Sequence, residues 1–317
     1  MLYILVFVLL FAAQLVYFRI AAHFNIIDKP NNRSSHTNIT LRGGGIVFYI
    51  GVLFYFLLCG FPYPWLFAGL TLISLISFVD DIKPQSFRLR LSVHFIAMLL
   101  MFNQLGLYQT PWYFTLIALI FCTGVLNAYN FMDGINGITG GYSLVVVGAL
   151  WYINTFQVAF VDSDLIYFIL MSLLVFNFFN FRTKARCFAG DVGAISIAFV
   201  IVFMLCRLIL ATKDVSYILL LGLYGVDSIL AIIHRILLKE NIFKPHRKHL
   251  FQIMANELKI PHVVVSSIYM VLQTLIVFGL IRTQYHYEYA AVIIILLSGI
   301  YVVFMKMFFK LHLCTNE

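Results

Sequence analysis

The sequence predicts an all-α integral membrane protein, a polytopic bundle of about eleven transmembrane helices in a single domain over residues 1–317. Hydrophobic residues make up 62% of the chain and charged residues only 11%, whereas about 25% of the residues in a soluble domain are charged. The mean hydropathy is +0.97. A membrane helix needs about 20 apolar residues, and runs of roughly this length recur along the whole chain.

Eleven apolar runs give the predicted helices. They cover residues 1–22, 45–60, 63–79, 87–103, 111–127, 138–157, 164–181, 192–210, 215–234, 262–281 and 288–306. Pro62 and Pro64 separate the second run from the third, which makes both short. The first run has no basic stretch before it and is followed by Arg19 and His23, the reverse of a secretory signal. We therefore expect an uncleaved first helix with its N-terminus outside.

The distribution of basic residues predicts the orientation. If the loops after the odd-numbered runs and the C-terminal tail are cytoplasmic, eighteen of the twenty-one lysines and arginines lie on that side. Only Arg207, Lys213 and Arg282 fall on the other side, as the positive-inside rule expects. The net charge of +8 is thus explained by topology, and nucleic-acid binding is not expected because no soluble domain could carry it. The five cysteines are scattered, without the spacing of a disulfide framework or a zinc site.

Unusual polar residues are concentrated in the five predicted inner loops. These loops cover residues 26–45, 78–91, 127–137, 181–194 and 234–252, and each pair of neighbours is separated by two crossings. The predicted outer loops, such as "CGFPYP" and "VDSD", are short and carry nothing comparable. This asymmetry favours a reaction or a binding event at the cytoplasmic surface.

Acidic residues at helix ends predict a metal-assisted phosphoryl-transfer site. Asp80, Asp81, Asp133 and Asp191 lie near the membrane boundary, and a charge costs up to about 2.5–3.5 kcal/mol as it approaches mid-bilayer. Mg²⁺ binds one or two protein carboxylates and completes its shell with water and substrate phosphates. Phosphate-suited residues surround these acids: Arg33, His36, Arg42, Arg88, Arg90, Arg182, Lys184, Arg186, Arg235, His246, Arg247, Lys248 and His249.

The stretch "LNAYNFMDGINGITGGY" is polar at the mouth of a predicted membrane helix. Asn127, Asn130, Asp133 and Asn136 are three residues apart, a spacing that predicts one side of a helix end. Ligand binding and a pure capping cluster both account for this spacing, and four polar residues in register favour ligand binding.

Five motifs in order give the chain a resemblance to a known family. "DKPNNRSSH" followed by "RGGG", the "DD" pair, "NAYNFMDGINGI", "FAGDVGA" and "HRKHLFQ" resemble the MraY/WecA family of polyprenyl-phosphate N-acetylhexosamine-1-phosphate transferases, glycosyltransferase family 4. The resemblance extends over nearly the whole chain. It is greater to the WecA-like O-antigen and capsule branch than to the peptidoglycan branch.

The resemblance implies an activity, a cofactor and partners. Family members transfer an N-acetylhexosamine-1-phosphate from a UDP-sugar to a membrane polyprenyl phosphate, which starts cell-surface polysaccharide synthesis and releases UMP. The implied cofactor is Mg²⁺, with Mn²⁺ as the alternative. The implied location is the bacterial cytoplasmic (inner) membrane with the active site on its cytoplasmic face; whether the chain forms a homodimer is left open.

The resemblance also assigns roles to residues. It implies catalytic roles for Asp80, Asp81 and Asp133, metal binding by Asp191 and Asn130, and substrate binding by Arg33, His36, Arg42, Arg88, Arg90, Asn127, Asn136, His246, Arg247 and His249. Gly190 and Gly193 beside Asp191 are expected to let the backbone approach a diphosphate. Asp80 and Asp81 are adjacent carboxylates, so their protonation is expected to be coupled.

Four features depart from the common family pattern. Asn136 stands where many bacterial members have Asp, Ala194 where Ser is frequent, and His246 and His249 are three residues apart instead of adjacent or alternating. Asn180 lies one residue farther from "GD" than its usual counterpart, so Lys184 has no secure family match.

Alternatives remain for individual residues and for the whole chain. On composition alone the histidine loop is equally consistent with a solvated interfacial loop, but its position in the family order favours diphosphate binding. Asp227, within the ninth run, is a structural candidate eight residues from Arg235. A transporter would place its charges near the midplane on broken helices with repeat symmetry. An intramembrane aspartyl protease would need two carboxylates that share a proton but no phosphate-suited loops.

Overall fold

The computed structural model describes residues 1–30, 39–241 and 247–314. Over these residues the chain forms twelve α-helices and one two-stranded sheet, which confirms the all-α class. The elements are α1 (Leu2–His23), β1 (Ile27–Asp28), β2 (Thr40–Leu41), α2 (Ile46–Leu58), α3 (Pro64–Ile82), α4 (Phe87–Leu105), α5 (Trp112–Met132), α6 (Ile138–Phe156), α7 (Ser163–Asn180), α8 (Gly190–Thr212), α9 (Gly222–Leu237), α10 (Leu250–Asn256), α11 (His262–Arg282) and α12 (His286–Cys314).

Each predicted apolar run coincides with a helix, and a 3-10 segment, Val215–Leu221, precedes α9. Eight helices of the described chain are long and apolar enough to span a membrane: α1, α3, α5, α7, α8, α9 with its 3-10 segment, α11 and α12. The protein is therefore a multi-pass membrane protein. The count of eleven crossings stays a prediction, because α2 has only 13 residues and neither α4 nor α6 is among these eight.

Helix α8 forms the centre of the bundle. Almost all its side chains from Val192 to Leu205 are buried, including Phe199, Val202 and Phe203 at 0% exposure. A helix that is apolar all round is stable only when neighbours cover every face, and here α2, α3, α5 and α6 pack around it. The N-terminus of α8 is consequently held in a fixed place among these helices.

A small hairpin lies against the loop that leads into α8. β1 and β2 pair antiparallel, with Ile27 opposite Leu41. Leu41 also bridges Cys187 in parallel, and the Phe188 amide donates to the Leu41 carbonyl at 2.8 Å. These hydrogen bonds hold the segment after β2 against the start of α8, although the two segments are about 150 residues apart in sequence.

Candidate active site

Five charged residues from three helices and one loop meet at the N-terminus of α8. We call them the acid–arginine cluster: Arg42 after β2, Asp80 and Asp81 at the end of α3, Arg90 in the first turns of α4, and Asp191 in the first turn of α8. Three carboxylates face two guanidinium groups, so the cluster has a formal charge of −1 when all five groups are ionised. All five residues were predicted from the sequence as site residues.

Asp81 is the buried member of the cluster. Its side chain has no solvent exposure, and its Oδ1 lies 2.6 Å from Nε of Arg42. Its two oxygens also accept hydrogen bonds from the backbone amides of Asp191 and Val192 at 2.9 and 3.0 Å. These amides are at the positive end of the α8 dipole, where a carboxylate is stabilising. Asp81 thus fixes the backbone that carries Asp191.

Asp80 faces a different arginine. Its Oδ2 lies 2.8 Å from Nη1 of Arg90, and its Oδ1 accepts a hydrogen bond from the Gln85 amide at 2.6 Å. Successive residues on a helix point about 100° apart, so the adjacent acids have separate partners. The arrangement differs from a dyad in which two carboxylates share one proton.

Asp191 is the carboxylate that connects the two halves of the cluster. Its Oδ1 lies 3.1 Å from Nη2 of Arg42 and its Oδ2 lies 3.6 Å from Nη1 of Arg90. Asp80 and Asp191 therefore share one nitrogen of Arg90, Nη1. Its side chain keeps 19% exposure, so Asp191 is accessible while Asp81 is not.

Glycines close the cluster by direct backbone packing. Gly190 has φ +71°, and a Cβ there would lie 2.5 Å from Oδ2 of Asp81 and 2.8 Å from the Gly43 nitrogen. A Cβ on Gly45 would lie 2.3 Å from Cα of Gly193. The glycines at 190 and 193 therefore let two segments of this chain approach each other, whereas the sequence had suggested an approach to a diphosphate.

Asp133 lies beside the cluster at the end of α5. It is the C-cap residue of the helix and accepts a hydrogen bond from Oγ1 of Thr139 at 2.7 Å. Burial raises the pKa of Asp133 to about 6, and the negative charge of Asp191 acts in the same direction, against the Thr139 hydrogen bond. Asp133 is therefore a carboxyl group that titrates close to neutral pH.

Asp133 and the three asparagines near it are not on one helix face, so that part of the prediction is wrong. α5 ends at Met132; Asn127 is exposed and Asn130 half-buried on the helix, whereas Asn136 lies beyond it and is buried. The helix ends because its C-cap residue, Asp133, leaves the helical conformation with ψ 67°, and Gly137, with φ +84°, is already the N-cap of α6.

Asn136 connects two loops of the site. Its Nδ2 donates to the carbonyls of Arg182 and Thr183 at 2.9 and 3.2 Å. Asn180, which was not predicted as a site residue, makes a parallel connection: its Oδ1 accepts from the Gly137 amide and its Nδ2 donates to the Cys187 carbonyl, both at 2.8 Å. The sequence signal that could have identified Asn180 as a site residue is that it is a polar residue at the end of an apolar helix.

His249 is inside the protein. Its ring is 1% exposed and its Nδ1 lies 3.4 Å from Oδ1 of Asp227, the acid within α9 whose partner the sequence did not identify. Arg235, the partner considered from sequence, contacts Glu240 at 3.3 Å instead. His249 is also the N-cap of α10, a short helix that the apolar pattern did not predict.

The other predicted substrate-binding residues are dispersed. Arg88 is exposed on α4 and Arg247 is half-buried just before α10. Arg33, His36 and His246 lie outside the described residues.

The donor set of the cluster fits Mg²⁺. Asp80 and Asp191 converge on one arginine nitrogen, and Mg²⁺ needs only one or two protein carboxylates besides water and phosphate oxygens. Among the described residues, no group of three or more His, Cys, Asp or Glu forms a preformed cage. The two-carboxylate arrangement would suit an ion whose shell is completed by substrate.

Fold and site together define a multi-pass membrane protein with an acidic and basic cluster at one end of its helix bundle. The family model for glycosyl transferase family 4 matches residues 63–209, a range that contains Asp80, Asp81, Asp133 and Asp191. This match confirms the resemblance predicted from the motifs.

Curated relatives agree with the family match. A probable undecaprenyl-phosphate N-acetylglucosaminyl 1-phosphate transferase of Bacillus subtilis (strain 168) is 28% identical over 254 residues, which cover 73% of this chain and 70% of the relative. The undecaprenyl-phosphate alpha-N-acetylglucosaminyl 1-phosphate transferases of Yersinia pestis and Escherichia coli (strain K12) are each 25% identical, over 279 and 276 residues, and in both cases 79% of this chain and 75% of the relative are covered.

Proposed function

We propose that this protein transfers N-acetylhexosamine-1-phosphate, with N-acetylglucosamine as the first candidate sugar, from a UDP-sugar to a polyprenyl phosphate in the membrane. The products are polyprenyl-diphosphate-sugar and UMP. The acid–arginine cluster carries the proposal, because it combines carboxylates and guanidinium groups at helix ends within the family match. The names of the relatives support the same activity.

Charge repulsion is the main barrier to this reaction. An oxygen of the acceptor phosphate attacks the phosphorus that carries the sugar, and the bond to the UMP oxygen breaks. Two unit negative charges about 5 Å apart repel by roughly 3 kcal/mol at an effective dielectric constant of 20. Arg42 and Arg90, which already hold carboxylates, would offset part of this repulsion by pairing with phosphate oxygens.

The carboxylates have distinct proposed roles. Asp191 and Asn130 would hold Mg²⁺ or Mn²⁺, with Asp80 beside Asp191; the ion, when bound, neutralises diphosphate charge. A phosphate monoester is largely dianionic at neutral pH because its second pKa is near 6. Asp80 therefore needs only to position the acceptor, Asp81 keeps the α8 N-terminus in place, and Asp133 can accept a proton near neutral pH.

The direct test is transfer of radiolabel into lipid by the purified protein. UDP-N-acetylglucosamine, UDP-N-acetylgalactosamine and UDP-N-acetylmuramyl-pentapeptide are compared as donors, with undecaprenyl phosphate as acceptor and Mg²⁺ present. We expect label in the lipid extract and equimolar UMP with a UDP-N-acetylhexosamine. No transfer from either hexosamine donor, or efficient turnover of the pentapeptide donor alone, would overturn the proposal.

We propose a single in-line displacement, since the dianionic acceptor needs little activation. A donor made chiral at the attacked phosphorus distinguishes the mechanisms. One displacement inverts the configuration, whereas a covalent aspartyl intermediate would retain it after two displacements. Retention would reject the direct route and leave the overall activity intact.

We also propose that the acid–arginine cluster faces the cytoplasm, as the eighteen-to-three split of basic residues supports. Single cysteines in place of exposed Lys184 and exposed Tyr285 report on the two ends of the bundle. In a background without native cysteines, an impermeant thiol reagent should label intact cells at position 285 but not at 184. The opposite pattern would invert the orientation.

A further inference from the structure

Asp227 is a buried carboxylate that the proposed reaction does not use. It lies in α9 at 3% exposure, where an ion without partners would be strongly destabilising. Three donors surround it: the Tyr269 hydroxyl at 2.7 Å, the Leu250 amide at 3.1 Å and Nδ1 of His249 at 3.4 Å. These donors come from α11 and from the start of α10, so one side chain connects three helices.

The contact with His249 fixes an imidazole in one orientation. Oδ1 of Asp227 lies 3.4 Å from Nδ1 of His249. An ionised carboxylate can only accept a hydrogen bond, and with Asp227 in that form Nδ1 is the donor. The ring lies near two aromatic side chains, with centroid distances of 5.8 Å to Phe251 and 6.4 Å to Phe131. The ring therefore has little freedom to rotate.

The Asp227–His249 pair and its aromatic neighbours pack against the loop that carries Asp133. Phe251 packs so closely on Gly134 that a Cβ there would lie 3.1 Å from its ring. Phe131, which approaches the His249 ring, is two residues before Asp133. The position of the Asp227–His249 pair consequently determines how the Arg247–Leu250 segment lies relative to the Asp133 loop.

We propose that Asp227 is a positioning residue for the donor substrate: it holds His249 and, through the backbone at Leu250, sets the basic segment of Arg247 beside the Asp133 loop. The inference rests on the proposed function. It assigns Asp227 no contact with substrate; its effect passes through His249. Carboxylates that orient metal-ligating histidines typically contribute about 10–100-fold to metal affinity or activity, and we take the lower end of that range for His249, to which no metal is assigned.

A double-mutant cycle tests this role. Asp227→Asn keeps the shape but removes the charge, and we expect it to raise the KM for UDP-N-acetylglucosamine about tenfold while kcat changes less than about threefold. In a His249→Gln background the same substitution should add no further change, since coupled sites are non-additive. Asp214→Asn is the matched control, because Asp214 is also paired with a histidine, His286 at 2.6 Å, at the other end of α8.

The outcomes separate the inference from the proposed function. Wild-type protein without transfer from any UDP-sugar would overturn the proposed function, and the inference with it. Active wild type with Asp227→Asn equal to Asp214→Asn, or additive effects of Asp227→Asn and His249→Gln, would overturn the inference alone. If Asp227→Asn does not fold, Tyr269→Phe keeps the carboxylate and removes one donor; we then expect a smaller KM increase, and an unchanged KM would contradict the proposal.

Discussion

The two ends of the helix bundle use acidic residues in different ways. At the end opposite the acid–arginine cluster, three aspartates have separate partners: the Tyr55 hydroxyl donates to Asp162 at 2.9 Å, the Tyr3 hydroxyl to Asp164 at 2.6 Å, and His286 lies 2.6 Å from Asp214. At the cluster, three carboxylates compete for two arginines. α8 connects both ends, with Asp191 in its first turn and Asp214 just beyond its last residue, Thr212.

The difference separates carboxylates that serve the fold from those that serve chemistry. An Asp whose oxygens accept hydrogen bonds from a tyrosine or lie against a histidine joins two segments of the chain and does not compete with another carboxylate. Repulsion among several carboxylates at one place lowers the free energy of unfolding. Such locally unfavourable arrangements are expected at functional sites. The first three predictions below pair a residue in or next to the cluster with a control outside it, and the fourth concerns Asp133 beside the cluster.

Loss of Arg42 should produce the largest effect on stability. Arg42→Ala removes the guanidinium from Asp81, whose side chain is fully buried. A buried charge without its partner costs about 3 kcal/mol, which should appear as a large drop in the midpoint temperature of unfolding in detergent. Arg88→Ala, on the exposed face of α4, should change that midpoint very little. Equal shifts for both variants would contradict a structural role for the Arg42–Asp81 pair.

Loss of the Asp191 charge should produce the largest effect on activity without unfolding the protein. Asp191→Asn should lower kcat at least about 100-fold, the usual effect of removing one electrostatic contact from a transition state, and weaken the dependence on Mg²⁺. Asp214→Asn should stay within about twofold of wild type. The assay is sugar-phosphate transfer over a Mg²⁺ titration. Full activity of Asp191→Asn with an unchanged Mg²⁺ requirement would exclude Asp191 as a metal ligand.

A methyl group at Gly190 should have an intermediate effect. Gly190→Ala forces a side chain into a positive φ and within 2.5 Å of Asp81, at a cost of about 1–3 kcal/mol. Gly148→Ala in α6, with nothing within 4 Å of its Cβ, should be neutral or slightly stabilising. Thermal unfolding of both variants is the measurement, and a neutral Gly190→Ala would mean that the close packing is dispensable.

The pH dependence of Asp133 should be the subtlest effect. Burial raises the pKa of Asp133 to about 6, above its ordinary value, so its contribution to stability is present at low pH and is lost as pH rises through about 6. If the ionised form takes part in transfer, kcat/KM should rise over the same range. Thr139→Val removes a hydrogen bond that favours the carboxylate, so it should move the inflection to higher pH. If the inflection stays at the same pH in Thr139→Val, the inflection does not report the titration of Asp133.

Composition and periodicity predicted most of the fold but little of its internal geometry. Each of the eleven apolar runs became a helix, because long apolar segments have few alternatives in a membrane. α10 was not predicted, because it is only seven residues long and follows a basic loop. The 3-10 segment before α9 was also missed because it is as apolar as the helix that follows.

Residue types at loop ends predicted the members of the site but not their partners. Arg42 and Asp81 are 39 residues apart, and no periodicity connects a loop arginine with a helix-end aspartate. The roles of Gly190 and Asn180 depend on contacts with other segments of the chain, which a sequence without its fold does not contain. The predicted face of four polar residues failed because α5 ends at Met132, which leaves Asn136 beyond the helix.

The hydrogen bonds from Asp191 and Val192 to Asp81 also bear on the order in which the site is built during synthesis. Asp81 emerges from the ribosome 110 residues before Asp191, an interval of roughly 5–20 s at ordinary elongation rates. Arg42 emerges earlier still, so a cation is ready to neutralise Asp81 when α3 enters the membrane. We therefore expect the arginine to act first as a counter-ion for Asp81 in the incomplete bundle and later, once α8 has been made, as a component of the finished site.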